Sequence, residues 1–222
     1  MKKFYLMFFN VVILAGMLAG CNDNGKTAEA GREETFDKDA TTGILNGHEW
    51  VDLGLPSGTR WATCNVGASS PEEYGDYFAW GETATKSTYI KDNSTYSGNP
   101  TTLPSNVDAA TANWGKGWRM PTDEDFDELL INCPTKWTTQ NGIDGMKFTG
   151  PNGNSIFLPA AGELYVRGLD YAGSYGNYWS SSLCTVRTGN AWYLFFDSGG
   201  CNINFYGRGY GFTVRPVCQS QN

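Results

Sequence analysis

Histidine is nearly absent from this chain: His48 is the only one among 222 residues. A histidine general base, a histidine-rich metal site or a Ser-His-Asp triad would have to rest on that residue alone. Basic residues are also scarce, 16 Lys and Arg against 23 Asp and Glu, for a formal charge of −7. No basic patch is available to displace counterions from a phosphate backbone, which argues against nucleic acid as a partner. What the chain has instead is 28 Gly, 12 Tyr, 12 Phe and 8 Trp. That is enough apolar surface to build a core, so wholesale disorder is excluded. So much glycine among aromatics reads as short strands joined by tight turns, not as a helical bundle.

The sharpest absence lies near the C-terminus. Residues 164–217, 54 positions, contain no Lys, Glu, Gln, Met or His, whereas residues 22–163 hold 20 of the first four kinds. In their place stand 9 Gly, 7 Tyr, 5 Ser and 4 Asn. Two explanations stand side by side. Strands and turns deplete Lys and Glu and enrich Tyr, Gly and Asn. A recognition surface uses the same alphabet, because Tyr gives rigid contact area while Ser, Gly and Asn give adaptable hydrogen bonding.

The chain begins Met-Lys-Lys, followed by an apolar stretch from Phe4 to Leu18 and by Leu18-Ala19-Gly20-Cys21. A positive start, a short apolar run and small residues read as a cleaved signal rather than a spanning helix. The tetrapeptide looks like a bacterial lipobox, in which Cys21 is acylated and becomes the new N-terminus. An uncleaved anchor is the alternative, and both put the remainder outside the cytoplasm. Residues 22–47 are polar and read as a tether, with a root-mean-square reach of roughly 25–30 Å. Beyond Cys21 stand Cys64, Cys133, Cys184, Cys201 and Cys218, an odd number that allows at most two bridges.

Residues 48–218 form the globular part. His48–Leu53 and Thr59–Val66 flank a Pro/Gly turn and read as a hairpin. Lys86–Pro104 reads as a long loop. A short helix is expected over Asn106–Asn113, stopping near Gly115. A second opens at Thr122 with Asp125 at the capping-box position; Phe126, Leu129, Leu130 and Cys133 line one face, and Pro134 ends it. The acids in its first turns fit the helix dipole better than a metal cluster. Met146–Gly150 and Ser155–Pro159 flank Pro151-Asn-Gly-Asn154, a hairpin signal. Strands are then expected at Tyr178–Ser182, Asn190–Ser198, Cys201–Tyr206 and Gly211–Cys218. Strands, two helices, then strands give an α+β class with helices packed on antiparallel sheets and long loops. Trp61, Trp80, Trp118, Trp179 and Trp192 are expected in the core, and Arg215 is expected to pair, buried, with an acid.

Several segments resemble one family. They are Trp50-Val-Asp-Leu-Gly-Leu-Pro-Ser-Gly-Thr-Arg-Trp-Ala-Thr-Cys-Asn-Val-Gly67, Gly75-Asp-Tyr-Phe-Ala-Trp-Gly-Glu82, Gly117-Trp-Arg-Met-Pro-Thr122, Phe157-Leu-Pro-Ala-Ala-Gly162, Tyr178-Trp-Ser-Ser-Ser182 and Val214-Arg-Pro-Val217. Together they resemble the Fibrobacter succinogenes major paralogous domain, abundant in Bacteroidetes lipoproteins. The resemblance implies a C-type-lectin-like fold and a cell-envelope, outer-membrane location; it implies no particular activity. Calcium-dependent lectins of this fold carry Glu-Pro-Asn or Gln-Pro-Asp with Trp-Asn-Asp, and none of these occurs here. Formylglycine-generating enzymes are similar at Trp118-Arg-Met-Pro-Thr-Asp-Glu124, but their Gly-Gly-Ser-Trp segment is missing and the cysteines are scattered. No catalytic constellation, metal site or cofactor is expected.

Some lipoproteins of this fold are variable proteins of diversity-generating retroelements. Adenine-directed mutagenesis of Asn-type codons there yields many residues but never Lys, Glu, Gln, Met or Trp, a filter that residues 164–217 pass apart from Trp179 and Trp192. The candidate displayed positions are Leu183, Cys184, Thr185, Val186 and Arg187, together with Tyr193, Asn202, Asn204, Tyr206, Arg208 and Tyr210. A bridge between Cys184 and Cys201 would stiffen that patch. The expected role is non-catalytic binding of an extracellular protein or glycan, with membrane contact through the lipid anchor only. A structural or adhesive envelope subunit and a formylglycine-generating-type enzyme are the alternatives.

Overall fold

The first turn of the computed structural model is an Asn-Gly pair, Asn46 and Gly47, at φ 50° and 81°. These left-handed angles suit Asn and Gly, and the turn they make matches the twist of paired strands. It joins β1 (Thr42–Leu45) to β2 (His48–Asp52), with Leu45 opposite His48. The structure describes residues 40–166 and 168–219; the signal, Cys21 and most of the tether lie outside the described residues. The stretch read as tether through residue 47 therefore ends in a strand. The anticipated hairpin from β2 to β3 (Thr59–Ala62) is present, with Trp50 opposite Ala62.

The long loop contains only a single 3-10 turn, Lys91–Asn93. Helix α1 (Ala109–Trp114) is capped by the Asp108 carboxylate, which accepts from the Thr111 amide at 2.8 Å, and ends at Gly115 with φ 87°. After β4 (Trp118–Arg119), α2 (Asp123–Asn132) starts with the anticipated Thr122–Asp125 capping box. Phe126, Leu129 and Cys133 are buried and Leu130 packs beside them. The acids of α2 have specific partners. Asp125 pairs with Arg119, and Glu128 accepts from the Ser57 amide at 2.8 Å.

The remaining strands are β5 (Thr135–Gln140), β6 (Ile143–Thr149), β7 (Ser155–Pro159), β8 (Glu163–Tyr165), β9 (Gly168–Asp170), β10 (Gly176–Leu183), β11 (Asn190–Asp197), β12 (Gly200–Gly207) and β13 (Val217–Gln219). Four antiparallel sheets result: β1-β2-β3-β13-β4, β5-β6-β7, β8-β9 and β10-β11-β12. The class is thus α+β, mostly β, with few helices. Among the described residues no helix is long and apolar enough to cross a membrane.

Two large aromatic clusters fill most of the interior, beside a smaller one of Tyr77, Ala79, Tyr89 and Ala161. One holds Trp50, Trp80, Trp114, Trp118, Trp179 and Phe212; the other holds Trp61, Phe126, Phe148, Tyr178 and Phe196 around α2. Trp192 is a correction. It is only half-buried at the sheet end, edge-on to Phe205 at 5.4 Å. The last predicted strand is also shorter than expected. Only Val217–Gln219 is a strand, while Phe212 and Thr213 make single bridges to Phe78 and Tyr178. Pro216 has no amide hydrogen to continue a ladder.

Arg215 is buried as expected but without a carboxylate. Its Nε donates to Asn65 Oδ1 at 2.8 Å, Nη1 to the carbonyls of Ala62 and Thr63 at 3.1 and 2.6 Å, and Nη2 to the carbonyl of Phe157 at 3.0 Å. Four fixed acceptors replace the expected acid and knot the end of β3 to β7. Burial pulls the guanidinium below its ordinary range.

Candidate ligand-binding face

Strand periodicity decides which side chains of β11 and β12 share a face. The register pairs Ala191 with Tyr206, Tyr193 with Asn204 and Phe195 with Asn202 on one face, and Trp192 with Phe205, Leu194 with Ile203 and Phe196 with Cys201 on the other. The second face is the inner one: Leu194 and Phe196 are core, and Ile203 and Cys201 pack beside them next to α2. On the first face exposure grades outward. Trp179 on β10 is fully buried, Tyr193 on β11 is 7 % exposed, and Asn202, Asn204 and Tyr206 on β12 are exposed, Tyr206 at 37 %.

Beneath this strip lies a continuous aromatic layer. Trp179 stacks on Phe212 at 4.2 Å, Phe212 meets Tyr193 at 5.0 Å, and Tyr206 meets Tyr210 at 4.5 Å. Tyr210 stacks in turn on Tyr165 at 4.0 Å with their planes 7° apart. At the other end Tyr175 meets Phe195 at 5.4 Å and Tyr171 at 4.8 Å. Rings held on several sides have few rotamers left to lose on binding, which favours contact. Burial, together with Tyr206 and Glu163 nearby, pushes the Tyr193 hydroxyl up to about 12, so it stays a neutral donor and acceptor at physiological pH.

The sequence-predicted positions divide. Asn202, Asn204 and Tyr206 lie together on the open strip, with Tyr210 half-buried at its end. Leu183, Cys184 and Tyr193 are corrected: they are 4 %, 0 % and 7 % exposed and serve as core. Leu183 ends β10, whose residues are all buried, Cys184 directly after it is buried as well, and Tyr193 is covered by Phe212 and Tyr206. Thr185, Val186 and Arg187 are exposed on the β10–β11 turn, but Arg187 reaches over the Phe205 ring at 5.3 Å. Phe205 belongs to the opposite face, so this turn and the strip do not form one patch. Arg208 is half-buried, its Nη1 donating to the Gly98 carbonyl at 2.7 Å and its guanidinium 5.3 Å from the Trp80 ring. Sequence reasoning missed Phe195, half-buried between Asn202 and Tyr175. The period-two alternation along Asn190–Asp197, with Trp192, Leu194 and Phe196 on one face and Tyr193, Phe195 and Asp197 on the other, is the sequence signal that points to it.

The imagined Cys184–Cys201 bridge is also corrected. The Cys184 amide donates to the Asn190 carbonyl at 3.1 Å, whereas Cys201 lies opposite Phe196 in the β11–β12 register. Asn190 and Phe196 are about 20 Å apart along the strand, and a disulfide needs Cα atoms within about 7 Å. All five described cysteines are free thiols. Burial raises Cys133 to about 11 and Cys218 to about 12, which suits inert core thiols. His48 stacks on Trp114 at 3.8 Å, and burial lowers its pKa. Among the described residues no group of three or more His, Cys, Asp or Glu is placed to hold a metal ion.

A cleft of about 430 Å³ opens at the end of β12, where Tyr165, Arg208 and Tyr210 face the loop residues Lys91, Ser94 and Tyr96. Gly209 lets that loop approach: an added Cβ would lie 2.8 Å from the Lys91 backbone. Comparison of the chain with protein-family models, with curated proteins and with solved structures gives no match in any of the three.

Proposed function

We propose that this chain is a cell-envelope lipoprotein whose C-type-lectin-like domain binds an extracellular protein or glycan without transforming it. The observation that carries the reading is the open strip of β12. Asn202, Asn204 and Tyr206 stand exposed on one face of a strand whose alternate residues, Cys201, Ile203 and Phe205, anchor it on the other. Asn202 and Asn204 can change without disturbing the core, which is what a diversified recognition face requires, while Tyr206 beside them is held by Tyr193 and Phe212. Asn and Tyr there supply adaptable hydrogen bonds and rigid contact area. The absence of Lys and Glu across residues 164–217 then reflects recognition, with retroelement mutagenesis as its source. A reverse transcriptase gene beside a near-copy of the 3′ coding segment, differing only at adenines, is the expected neighbourhood. Its absence removes diversification and leaves binding standing.

The binding test uses the full chain on an array of immobilised neutral and acidic glycans and purified mucins. Asn204→Lys, which keeps the strand but adds a buttressed charge to the strip, should weaken any captured probe by about tenfold or more. Equal binding by this variant, or no captured probe at all, defeats the reading.

One observation favours the adhesive alternative. β12 is the sheet edge, and no described strand pairs with its outer side. Edges are normally blunted by Lys or Pro, and Gly200–Gly207 contains neither. Strand pairing with a second chain would use that edge. A strictly monomeric chain in light scattering across a wide concentration range excludes it.

A further inference from the structure

The cleft beyond β12 is lined by groups that the strip does not use. Its 430 Å³ falls within the range of about 300–1,000 Å³ typical of small-ligand clefts. Lys91 and Arg208 line it, and no carboxylate is among its described lining side chains. In a chain with 23 acidic and 16 basic residues this is a local reversal of sign. Neither cation is in an ion pair with a described residue; the two described pairs are Lys86–Glu82 and Arg119–Asp125. Arg208 commits Nη1 to Gly98 and Asn99, and no described residue accepts from its Nε or Nη2.

The walls are aromatic and stiff. Tyr96 is wedged between Gly81 and Gly98, where an added Cβ would lie 2.1 and 2.5 Å from its ring and hydroxyl. Tyr165 and Tyr210 brace each other by stacking. The Ser94 hydroxyl is buried at the cleft and has no hydrogen-bond partner among the described residues. Buried polar groups are normally paired, so an unpaired hydroxyl beside two cations that have no described carboxylate partner points to a polar, anionic occupant. Tyrosine walls suit the apolar face of a flat ring, and Asn190 adds donors and acceptors.

We infer that the cleft binds an anionic pyranose, a sugar ring bearing a carboxylate or a sulfate. The cations hold the anionic group, the tyrosines cover the ring face, and Ser94 and Asn190 meet the hydroxyls. This deepens the binding reading above and rests on it, because Tyr210 joins the cleft to Tyr206 on the strip.

Calorimetric titration of the full chain with D-glucuronate, N-acetylneuraminate, glucose 6-sulfate, D-glucose and a triglutamate peptide tests it. At least one acidic sugar should bind about tenfold or more tightly than glucose, and added salt should weaken it. Lys91→Gln and Arg208→Gln should each cost about fivefold or more, while Lys136→Gln, an exposed cation on β5 away from the cleft, should leave the affinity unchanged. The tighter of the carboxylate and sulfate sugars identifies the anionic group. Equal binding of glucose, tighter binding of the peptide, or indifference to Lys91→Gln overturns the inference. If the acidic sugars fail while an array probe still depends on Asn204, the cleft assignment alone falls. If array capture fails as well, the binding reading falls with it.

Discussion

Arg215 and Asp125 solve the same problem, a buried charge, in different ways. Arg215 spreads its charge over three carbonyls and one side-chain amide. Removing it leaves those acceptors dry, and unsatisfied buried groups cost about 1–3 kcal/mol each. Arg215→Met should therefore destabilise the fold by about 3 kcal/mol or more, read as a lower urea midpoint. Arg215→Lys should recover little, since one ammonium cannot reach four acceptors set around a planar fork. For Asp125, burial alone would raise the carboxyl. The hydrogen bonds and charge of Arg119 and the amide and hydroxyl of Thr122 outweigh it, so the group titrates below its ordinary value. A folded-state pKa below the unfolded one stabilises above the ordinary carboxylate range, and that contribution is lost as pH falls through the folded value. Stability should thus fall on acidification below about pH 4, and Asp125→Asn should flatten that limb of a melting-temperature profile while lowering its neutral plateau.

At the scale of the element, the β10-β11-β12 sheet separates stability from recognition. Its inner face and its central strand hold the core, whereas Asn202 and Asn204 stand exposed on β12 and only Tyr206 of that strip leans on the core, against Tyr193 and Phe212. Tyr193→Ala empties a site packed by Trp179, Tyr206 and Phe212, and should cost about 3–5 kcal/mol as other buried aromatic truncations do. Asn204→Lys on the neighbouring strand should change the unfolding midpoint by no more than about 0.5 kcal/mol. Thermal denaturation of the two variants side by side checks the division. Equal losses would mean that the strip is structural and its composition is ordinary strand chemistry.

At the scale of the whole molecule, β13 closes the fold. It lies between β3 and β4, so the largest sheet is continuous only when the C-terminal segment is in place. Val217 and Cys218 are also buried in separate clusters, one in each large aromatic core. A chain ending before Val217 should lose cooperative unfolding in calorimetry, although it lacks only one short strand. Long-range closure of this kind is slow to form because the entropy of the large loop is lost before its contacts are gained.

The sequence by itself determined the local elements. Thr122 and Asp125 announced α2, Pro151 to Asn154 announced the β6–β7 turn, and period-two alternation announced the two faces of β11. These signals act within a few residues, where caps, turn angles and side-chain spacing are set. Strand β1 was hidden because its residues, Thr42 to Leu45, follow a polar run and gain their apolar surroundings only by pairing with β2. Tertiary structure alone decided that Cys184 and Tyr193 are core, that Arg187 turns toward Phe205, and that Lys91 and Arg208 share a cleft. Each of those facts depends on segments distant in the chain, and neither composition nor period reports which faces they cover.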